Sequence, residues 1–452
     1  MSLRGLLVGA VILAALGGAV WWSETKNKQD DTAKSDKEAP KIVTLKEDEV
    51  TRVEIRRREA EPVILQRGKD GWSMTVPTGT GSKSVRPDNE SATSLVSSLA
   101  GLTSDRVVEE KAADLTSFGL NAPAVQVAVL SKDNKSKVIQ IGDETPTAGG
   151  YYAKVEGDPR VFSLSSAAKA NIDKSWRDLQ DKRLITSGET NLSRVELVSG
   201  KGQTVEFGRS GQNEWQILKP RPLRADSWQV EELIRKVRDT KLSATATEEE
   251  EKTSASEFAI GTRVALVSLT DPSGAQTLEV RSKGQAYYAK SSVVETPTKV
   301  EKELADALAK SLDDFRAKKV FEFGFAEPSK VELQDNGKGY HFSKTGDKWW
   351  SNGKQMDGTS VQSLIDKLRD LQATKLTDSG SAQPVLLNIT VVSAEGKRTE
   401  KAAFAKGPAS WFGKRENEST TYEIDSKVIE EIQRAAADVK APPPPSAPSA
   451  KK

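Results

Sequence analysis

The chain contains no cysteine and only one histidine among its 452 residues. The missing cysteines exclude disulfides, thiolate nucleophiles and zinc sites with cysteine ligands. The single histidine, His341, cannot build a multi-histidine metal site, and a serine–histidine–aspartate triad would have to use it. Because it lies in the strand-like run Tyr340-His341-Phe342, we expect an ordinary strand residue and not a catalytic base.

The chain also lacks an excess of charge of either sign. Its 67 basic and 65 acidic residues give a formal net charge of +2. Nucleic acid is therefore not an expected partner, because phosphate binding needs a concentrated basic surface. The sequence has no G-x-x-x-x-G-K-S/T phosphate loop, and no close pair of carboxylates recurs in its apolar framework. We predict that the protein is not an enzyme and has no catalytic, cofactor-binding or metal-binding residues and no small-molecule cofactor. A hydrolase that uses only carboxylates, or serine and lysine, is an alternative hypothesis.

One long apolar run occurs, from Gly5 to Trp22, with 18 residues and no charge. A helix of this length spans about 27 Å, close to the thickness of a bilayer core. Arg4 precedes the run, and Trp21-Trp22 closes it with rings suited to the lipid–water boundary. We predict an uncleaved transmembrane anchor over residues 1–22 that contacts membrane lipid. The alternative is a cleaved signal peptide, for which Leu16-Gly17-Gly18-Ala19 offers small residues.

Two segments are too polar or too rich in proline to form a core. Residues 23–42 are dominated by Lys, Asp, Glu, Thr and Ser, which predicts a disordered tether. Residues 439–452 are rich in Pro, Ser and Ala, which predicts a disordered tail. With the basic end inside, the long polar part of the chain is expected on the outer side of the membrane.

Between these segments the same order of motifs occurs three times. Each pass begins with a short strand signal, and the passes are 142 and then 136 residues apart: Val53-Glu54-Ile55, Val195-Glu196-Leu197 and Val331-Glu332-Leu333. Each then has an aspartate with apolar residues at offsets of +4, +7 and +11, which is one helical face after an N-cap: Asp88, Asp226 and Asp357.

This spacing is too long for a solenoid of short repeats. It predicts an α+β protein with three tandem repeated domains of antiparallel strands, each with one main helix. The expected domains are residues 43–185, 186–322 and 323–438, of which the third is divergent.

Aromatic residues recur at matching places. A tryptophan follows a strand turn in each pass, and Tyr-Tyr-Ala-Lys occurs at 151–154 and 287–290. We place Thr421-Tyr422-Glu423-Ile424 at the corresponding position of the third pass. Aromatic rings can bind sugars or peptides, but a ring at one place in every repeat is more simply explained by packing. The positions with either a ligand-binding or a structural role are Trp72, Trp215, Trp350, Tyr152 and Tyr288.

The order of these motifs resembles the bacterial domain of unknown function 4340 family. The resemblance rests on Trp72 with Pro77 five residues later, Phe118-Gly119-Leu120 with Pro123, Tyr-Tyr-Ala-Lys, and Leu179 to Leu184. It covers residues 45–320 well and 320–435 less well. It implies a single-pass protein of the bacterial inner (cytoplasmic) membrane, with the N-terminus inside and most of the chain periplasmic or extracytoplasmic. It also implies an integral membrane partner in an ABC-type transport system related to gliding-motility export components. The family has no established catalytic residues to carry over.

Two functions of different classes are therefore open. The first is a non-enzymatic scaffold or accessory subunit of a membrane transport complex. The second is an envelope protein that binds glycan or peptide through its recurrent aromatic residues.

Overall fold

The computed structural model describes residues 40–443, except 80, 147–148, 189, 212, 325 and 379–383. The expected anchor Gly5–Trp22, nearly all of the expected tether and most of the expected tail lie outside the described residues. None of the described helices is both long and apolar enough to cross a membrane.

The first sheet is antiparallel throughout. Its strands, in the part of the chain that the structure describes, are β1 (Val50–Arg57), β2 (Ala60–Gly68), β3 (Gly71–Thr78), β4 (Gly81–Val85), β5 (Arg106–Glu109), β6 (Val125–Ser131), β7 (Ser136–Glu144), β8 (Gly150–Val155) and β9 (Val161–Ser165). They lie in the order β4-β3-β2-β1-β6-β7-β8-β9-β5. Two meanders are thus joined edge to edge, with Val53 of β1 opposite Val129 of β6.

The second and third sheets repeat this plan. The second consists of β10 (Arg194–Ser199), β11 (Thr204–Arg209), β12 (Trp215–Lys219), β13 (Leu223–Arg224), β14 (Thr262–Asp271), β15 (Gly274–Lys283), β16 (Ala286–Ser291) and β17 (Thr298–Val300). The third consists of β18 (Lys330–Asp335), β19 (Lys338–Thr345), β20 (Lys348–Ser351), β21 (Lys354–Met356), β22 (Lys375–Thr377), β23 (Val385–Ser393), β24 (Arg398–Lys406), β25 (Ser410–Arg415) and β26 (Thr421–Asp425). Their orders are β13-β12-β11-β10-β14-β15-β16-β17 and β21-β20-β19-β18-β23-β24-β25-β26-β22.

Helices are few and lie between the meanders or after them. The described α-helices are α1 (Asn89–Ala100), α2 (Ser166–Ile172), α3 (Trp176–Leu179), α4 (Ser227–Asp239), α5 (Glu248–Ile260), α6 (Lys302–Leu308), α7 (Gly358–Arg369) and α8 (Ser426–Ala437). Short 3-10 turns lie at Glu47–Glu49, Thr116–Phe118, Leu312–Phe315 and Ala394–Gly396. The α+β class is confirmed, and three antiparallel sheets of one plan agree with three repeated domains.

The predicted main helix of each repeat begins where the sequence predicts. The second and third repeats each also contain a second helix of similar length, α5 and α8, so the expectation of one main helix per domain is wrong for these two. The side chains of Asp88, Asp226 and Asp357 accept backbone N–H groups in the first turns of α1, α4 and α7. Such a cap satisfies a donor that the helix itself leaves unpaired. The predicted apolar faces are buried, as Leu95 and Leu99 of α1 show. Each helix therefore closes the core on one face of its sheet.

The strands follow the alternation that half-buried sheets require. In β6, Val125, Val127 and Val129 are buried while the residues between them are partly exposed. The described chain forms two compact units, with the boundary between Lys182 and Arg183. The first unit holds the first sheet, and the second unit holds the second and third sheets.

The outer side of the last strand of the second meander, which is β9, β17 or β26, differs among the three sheets. In the first sheet β5 pairs with β9, and in the third sheet β22 pairs with β26. In the second sheet no described strand lies beyond β17. The segment that follows α4 instead leads into α5, which packs against β15, β16 and β17.

Candidate functional site

The first two recurrent tryptophans are buried. Trp72 of β3 is 9% exposed and Trp215 of β12 is 2% exposed. A guanidinium of the preceding strand stacks on each ring, with Arg67 4.7 Å from the ring centroid of Trp72 and Arg209 4.0 Å from that of Trp215. The apolar core on one side and the arginine on the other leave little ring surface for a ligand, which favours the packing interpretation.

In the third repeat the buried ring belongs to the neighbouring residue. Trp349 is 4% exposed and pairs with Lys344, as Trp215 pairs with Arg209. Trp350 points to the opposite side of β20 and is half-buried. The hairpin between β18 and β19 is one residue shorter than that between β1 and β2, since Val331 pairs with Phe342 whereas Val53 pairs with Leu65. The equivalent of Trp72 and Trp215 is therefore Trp349 and not Trp350.

The two tyrosine positions face away from the main core. Tyr152 packs edge-on against Phe118, with ring centroids 4.9 Å apart. Tyr288 is 9% exposed in β16, where α5 packs against the sheet. Their neighbours Tyr151 and Tyr287 pack against the main cores of their domains. Each tyrosine pair thus divides between the two faces of its strand, as the alternation predicts.

The third repeat does have a counterpart of Tyr-Tyr-Ala-Lys, but in a different strand from the expected one. Thr421-Tyr422-Glu423-Ile424 lies in β26, which corresponds to β9. The counterpart is Trp411-Phe412-Gly413-Lys414 in β25, since Gly413 pairs with Phe404 as Ala153 pairs with Ile141. An aromatic–aromatic–small–lysine pattern in the sequence could have identified it.

A second group of residues joins the second and third sheets, which share one compact unit. We call it the interdomain charge network, and it consists of Glu214, Arg224, Glu322, Arg398, Glu400, Arg415, Glu418 and Tyr422. The second sheet contributes Arg224 from β13 and Glu214 from the turn before β12. The others lie in the third sheet or in the segment that leads to it.

Arg224 is the central cation of this network. Its Nη2 lies 2.5 Å from a carboxylate oxygen of Glu322, and its Nη1 donates to the hydroxyl of Tyr422 at 3.0 Å. Nη1 also donates to the backbone carbonyl of Lys319 at 3.0 Å. The side chain is only 16% exposed. Burial alone would lower the pKa of Arg224, but Glu322, Tyr422 and Glu418 hold it above its usual value.

Two further arginines extend the network across the third sheet. Arg398 Nη1 donates to Glu214 at 2.8 Å, and Arg398 Nε lies 3.4 Å from Glu400. Arg415 pairs with Glu400 at 3.1 Å and with Glu418 at 2.8 Å. The Glu400 side chain is 3% exposed. Each carboxylate is thus held by at least one guanidinium, an arrangement that buried charges require.

A smaller cluster lies beside the network. Arg316 Nη2 donates to Asp378 at 2.8 Å and to Thr420 Oγ1 at 3.0 Å, and Arg316 is 5% exposed. Arg221, from the loop before β13, pairs with the same carboxylate and donates to Ser419 Oγ at 3.1 Å. The pKa of Asp378 is lowered, chiefly by the bond from Arg221. The cluster adds a second set of directional contacts between the two sheets.

The geometry of these groups is that of a structural clamp. In the part of the chain that the structure describes, no group of three or more His, Asp or Glu residues is placed to hold a metal ion. The carboxylates of the interdomain charge network are bound to arginines. The fold and the network together define a class of protein with tandem α+β sheet domains, two of which are joined by ion pairs.

The comparisons with known proteins give the family. The model of the family described as Domain of unknown function (DUF4340) matches residues 78–259 and again 215–388. Together the matches span more than half of the chain, so the chain belongs to this family. Their starts lie 137 residues apart, close to the repeat spacing, which confirms the tandem repeat. No curated protein matches the chain.

The burial of Trp215 predicts the effect of its removal. Trp215→Ala should lower the free energy of unfolding by about 3–5 kcal/mol, because it leaves a cavity in the core. Trp228 of α4 is 64% exposed, so Trp228→Ala is the matched control and should change stability by less than about 0.5 kcal/mol. Urea unfolding measures both. Equal stability of Trp215→Ala and the wild type would contradict the packing role.

The burial of the Tyr422 hydroxyl predicts that the free energy of unfolding falls at alkaline pH. Burial first, and Glu418 next, raise its pKa to about 12. The pKa of a tyrosine in an unfolded chain is about 10, so below about pH 10 the protonated hydroxyl stabilises the fold fully. This stabilisation is lost as the pH rises from about 10 to 12.

The loss should reach up to about 3 kcal/mol in the wild type. Tyr422→Phe has no such group, so its stability should fall less between pH 9 and pH 12 when both proteins are unfolded in urea. Comparing the pH dependence, and not the absolute stability, removes the effect of the lost hydrogen bond with Arg224. Parallel curves for the two proteins would refute the assignment.

Proposed function

We propose that this chain is a non-enzymatic, single-span envelope protein whose repeated domains act as an extracytoplasmic scaffold or accessory subunit of an ABC-type membrane transport complex. The observation that carries the proposal is the interdomain charge network, which joins the second and third sheets. The apolar run Gly5–Trp22 and the family resemblance supply the expected location and the expected kind of partner.

A scaffold must hold its binding surfaces in a fixed relation. Ion pairs between guanidinium and carboxylate groups are directional, since both groups are planar and bond in pairs. Arg224 of the second sheet pairs with Glu322, in the segment that leads to the third sheet, and Arg398 of the third sheet pairs with Glu214, in the turn before β12. A rotation of one sheet against the other would therefore break several bonds. Because Arg224 and Glu400 are largely buried, dissolved salt screens their interactions only weakly.

The same network favours a structural and not a catalytic role. A catalytic carboxylate needs access to substrate and a pKa suited to proton transfer. Here Glu400 accepts the backbone N–H of Glu322 at 3.0 Å as well as bonds from arginine. Its hydrogen-bonding capacity is therefore taken up within the protein. Because its hydrogen bonds are all made within the protein, Glu400 is better suited to joining the two domains than to catalysis.

The expected anchor limits how the protein could serve transport. A single span without a charged residue cannot form a pathway for a polar substrate. The proposed role is therefore exerted outside the bilayer, by holding another protein of the complex. The described domains offer the polar, folded surfaces that such a role needs.

The alternative function, glycan or peptide binding, would use the recurrent aromatic residues. Trp72 and Trp215 are buried beneath arginines, and Tyr152 is packed against Phe118. These contacts favour packing at the positions on which that function depends. We therefore place the scaffold first.

Crosslinking followed by purification in mild detergent tests the scaffold role. The full chain should be recovered with an integral membrane protein. Arg224→Ala should reduce this recovery by at least about threefold, because loss of a buried ion-pair partner costs about 3–5 kcal/mol and frees the two sheets. Arg235→Ala, which removes an exposed i,i+3 pair on α4, is the matched control and should leave recovery unchanged. Purification of the wild-type chain alone would count against the proposal.

Protease added to spheroplasts tests the expected orientation. The bulk of the chain lies on the outer side in this proposal, so external protease should degrade it while the membrane stays closed. A cytoplasmic protein monitored in the same sample controls for lysis. Full protection of the chain from external protease, followed by degradation after lysis, would invert the topology and exclude the envelope location.

A further inference from the structure

Among the described strands, the second sheet differs in strand order from the other two at the outer edge of β17. The described residues place no strand beside it. In the other sheets this position holds a short antiparallel strand, β5 or β22. We infer that the β17 edge binds an extended segment of a partner protein, which adds the missing ninth strand to the second sheet.

The register of the three sheets shows which backbone groups are available. Ser163, Glu423 and Lys299 occupy the same place, because they pair with Tyr152, Phe412 and Tyr288 respectively. The carbonyl of Ser163 accepts a bond from the backbone N–H of Asp105 at 2.9 Å. The carbonyl of Glu423 accepts one from the N–H of Thr374 at 2.8 Å.

Lys299 should therefore direct both its N–H and its C=O toward the outer edge, as antiparallel alternation requires. Within the described part of the chain, its carbonyl has only a contact with Thr298 Oγ1 at 3.5 Å. An exposed strand edge of this kind is a template for a further strand. Its neighbours Thr298 and Val300 are buried and face the core, so the edge is held in an extended form.

The strands β5 and β22, which cover this edge in the first and third sheets, indicate which residues the partner's segment should carry. In the third sheet Lys375 lies opposite Glu423, and the next residue, Leu376, lies opposite Tyr422. Lys299 stands in the place of Glu423, so the charge is reversed and an acidic residue is the favourable partner. A β-branched or other apolar residue should follow it, opposite Thr298, as Val107 lies opposite Phe162 in the first sheet.

A second copy of this chain is a less suitable occupant. Two β17 strands paired about a twofold axis would place Lys299 opposite Lys299, and like charges directly opposite each other are destabilising. The inference does not depend on the scaffold function, because the edge would bind such a segment in any complex.

The test uses the full chain and a dye-labelled peptide with the sequence of residues 372–378 carrying Lys375→Glu. At peptide concentrations on the order of 1 mM, fluorescence anisotropy should show binding. Hydrogen exchange should slow at the Lys299 amide, by about tenfold at ten times the dissociation constant. The amides of Ser163 and Glu423, already covered by a ninth strand, should not change.

Lys299→Pro removes the outward N–H without removing a bond to β16, and an edge strand tolerates such a proline. It should weaken peptide binding at least about tenfold, whereas Lys299→Ala keeps the N–H and should weaken it by about threefold. Unchanged thermal unfolding shows that each variant is folded. The unmodified peptide, with lysine at position 375, should bind more weakly than the acidic one.

Three outcomes would overturn the inference. Equal peptide binding by Lys299→Pro and the wild type would place the binding elsewhere. Slow exchange of the Lys299 amide in the protein without peptide, matching Ser163 and Glu423, would show that the chain itself covers the edge. A dimer in sedimentation that Lys299→Pro dissociates would make a second copy the occupant.

Discussion

The contacts of Arg224 with Glu322 and Tyr422 constrain how the second and third sheets are oriented within the second unit. Placing charged groups between two domains costs solvation energy, which is recovered only when each charge finds partners of good geometry. Here Glu322 lies 98 residues and Tyr422 lies 198 residues after Arg224 in the chain. The pairs are therefore satisfied only when both sheets are folded and correctly oriented. We infer that this network contributes more to a unique arrangement of the two sheets than to net stability.

The repeated domain explains how this arrangement can differ from copy to copy. The sheet, the capped main helix and the buried tryptophan are common to all three repeats, and they build each core independently. The variable parts lie at the edges, where β13 carries Arg224 and no described strand lies on the outer side of β17. Substitution at an edge changes what a domain contacts without disturbing its core. The sequence can thus diversify contacts while keeping one fold.

The features that follow from local physical chemistry were predictable. Asp88, Asp226 and Asp357 are predictable as caps because an aspartate carboxylate accepts the free N–H groups of a helix's first turn, and the structure confirms all three. The sequence spacing predicts Trp350 as the equivalent of Trp72 and Trp215, whereas the structure buries Trp349. A shift of one residue along a strand moves the side chain to the opposite face of the sheet. Turn length fixes that register, and the spacing of sequence motifs does not determine it.

The interdomain charge network could not be predicted in this way. Its arginines and glutamates are surface-type residues scattered between Glu214 and Tyr422, with no local pattern that distinguishes them from solvated charges. Only the folded arrangement brings them together. The outer edge of β17 could not be predicted for a related reason. That no described strand lies beside it becomes evident only by comparison with the first and third sheets.

Arg224 and its partners should hold the second and third sheets in one fixed relation. Because the chain has no cysteine, spin labels can be attached at Glu231→Cys on α4 and Ser363→Cys on α7 without removing native residues that react. Pulsed electron–electron double resonance then measures the distance between the two main helices. We expect one narrow distance distribution, which Arg224→Ala broadens. A broad distribution in the otherwise native chain, unchanged by Arg224→Ala, would contradict it.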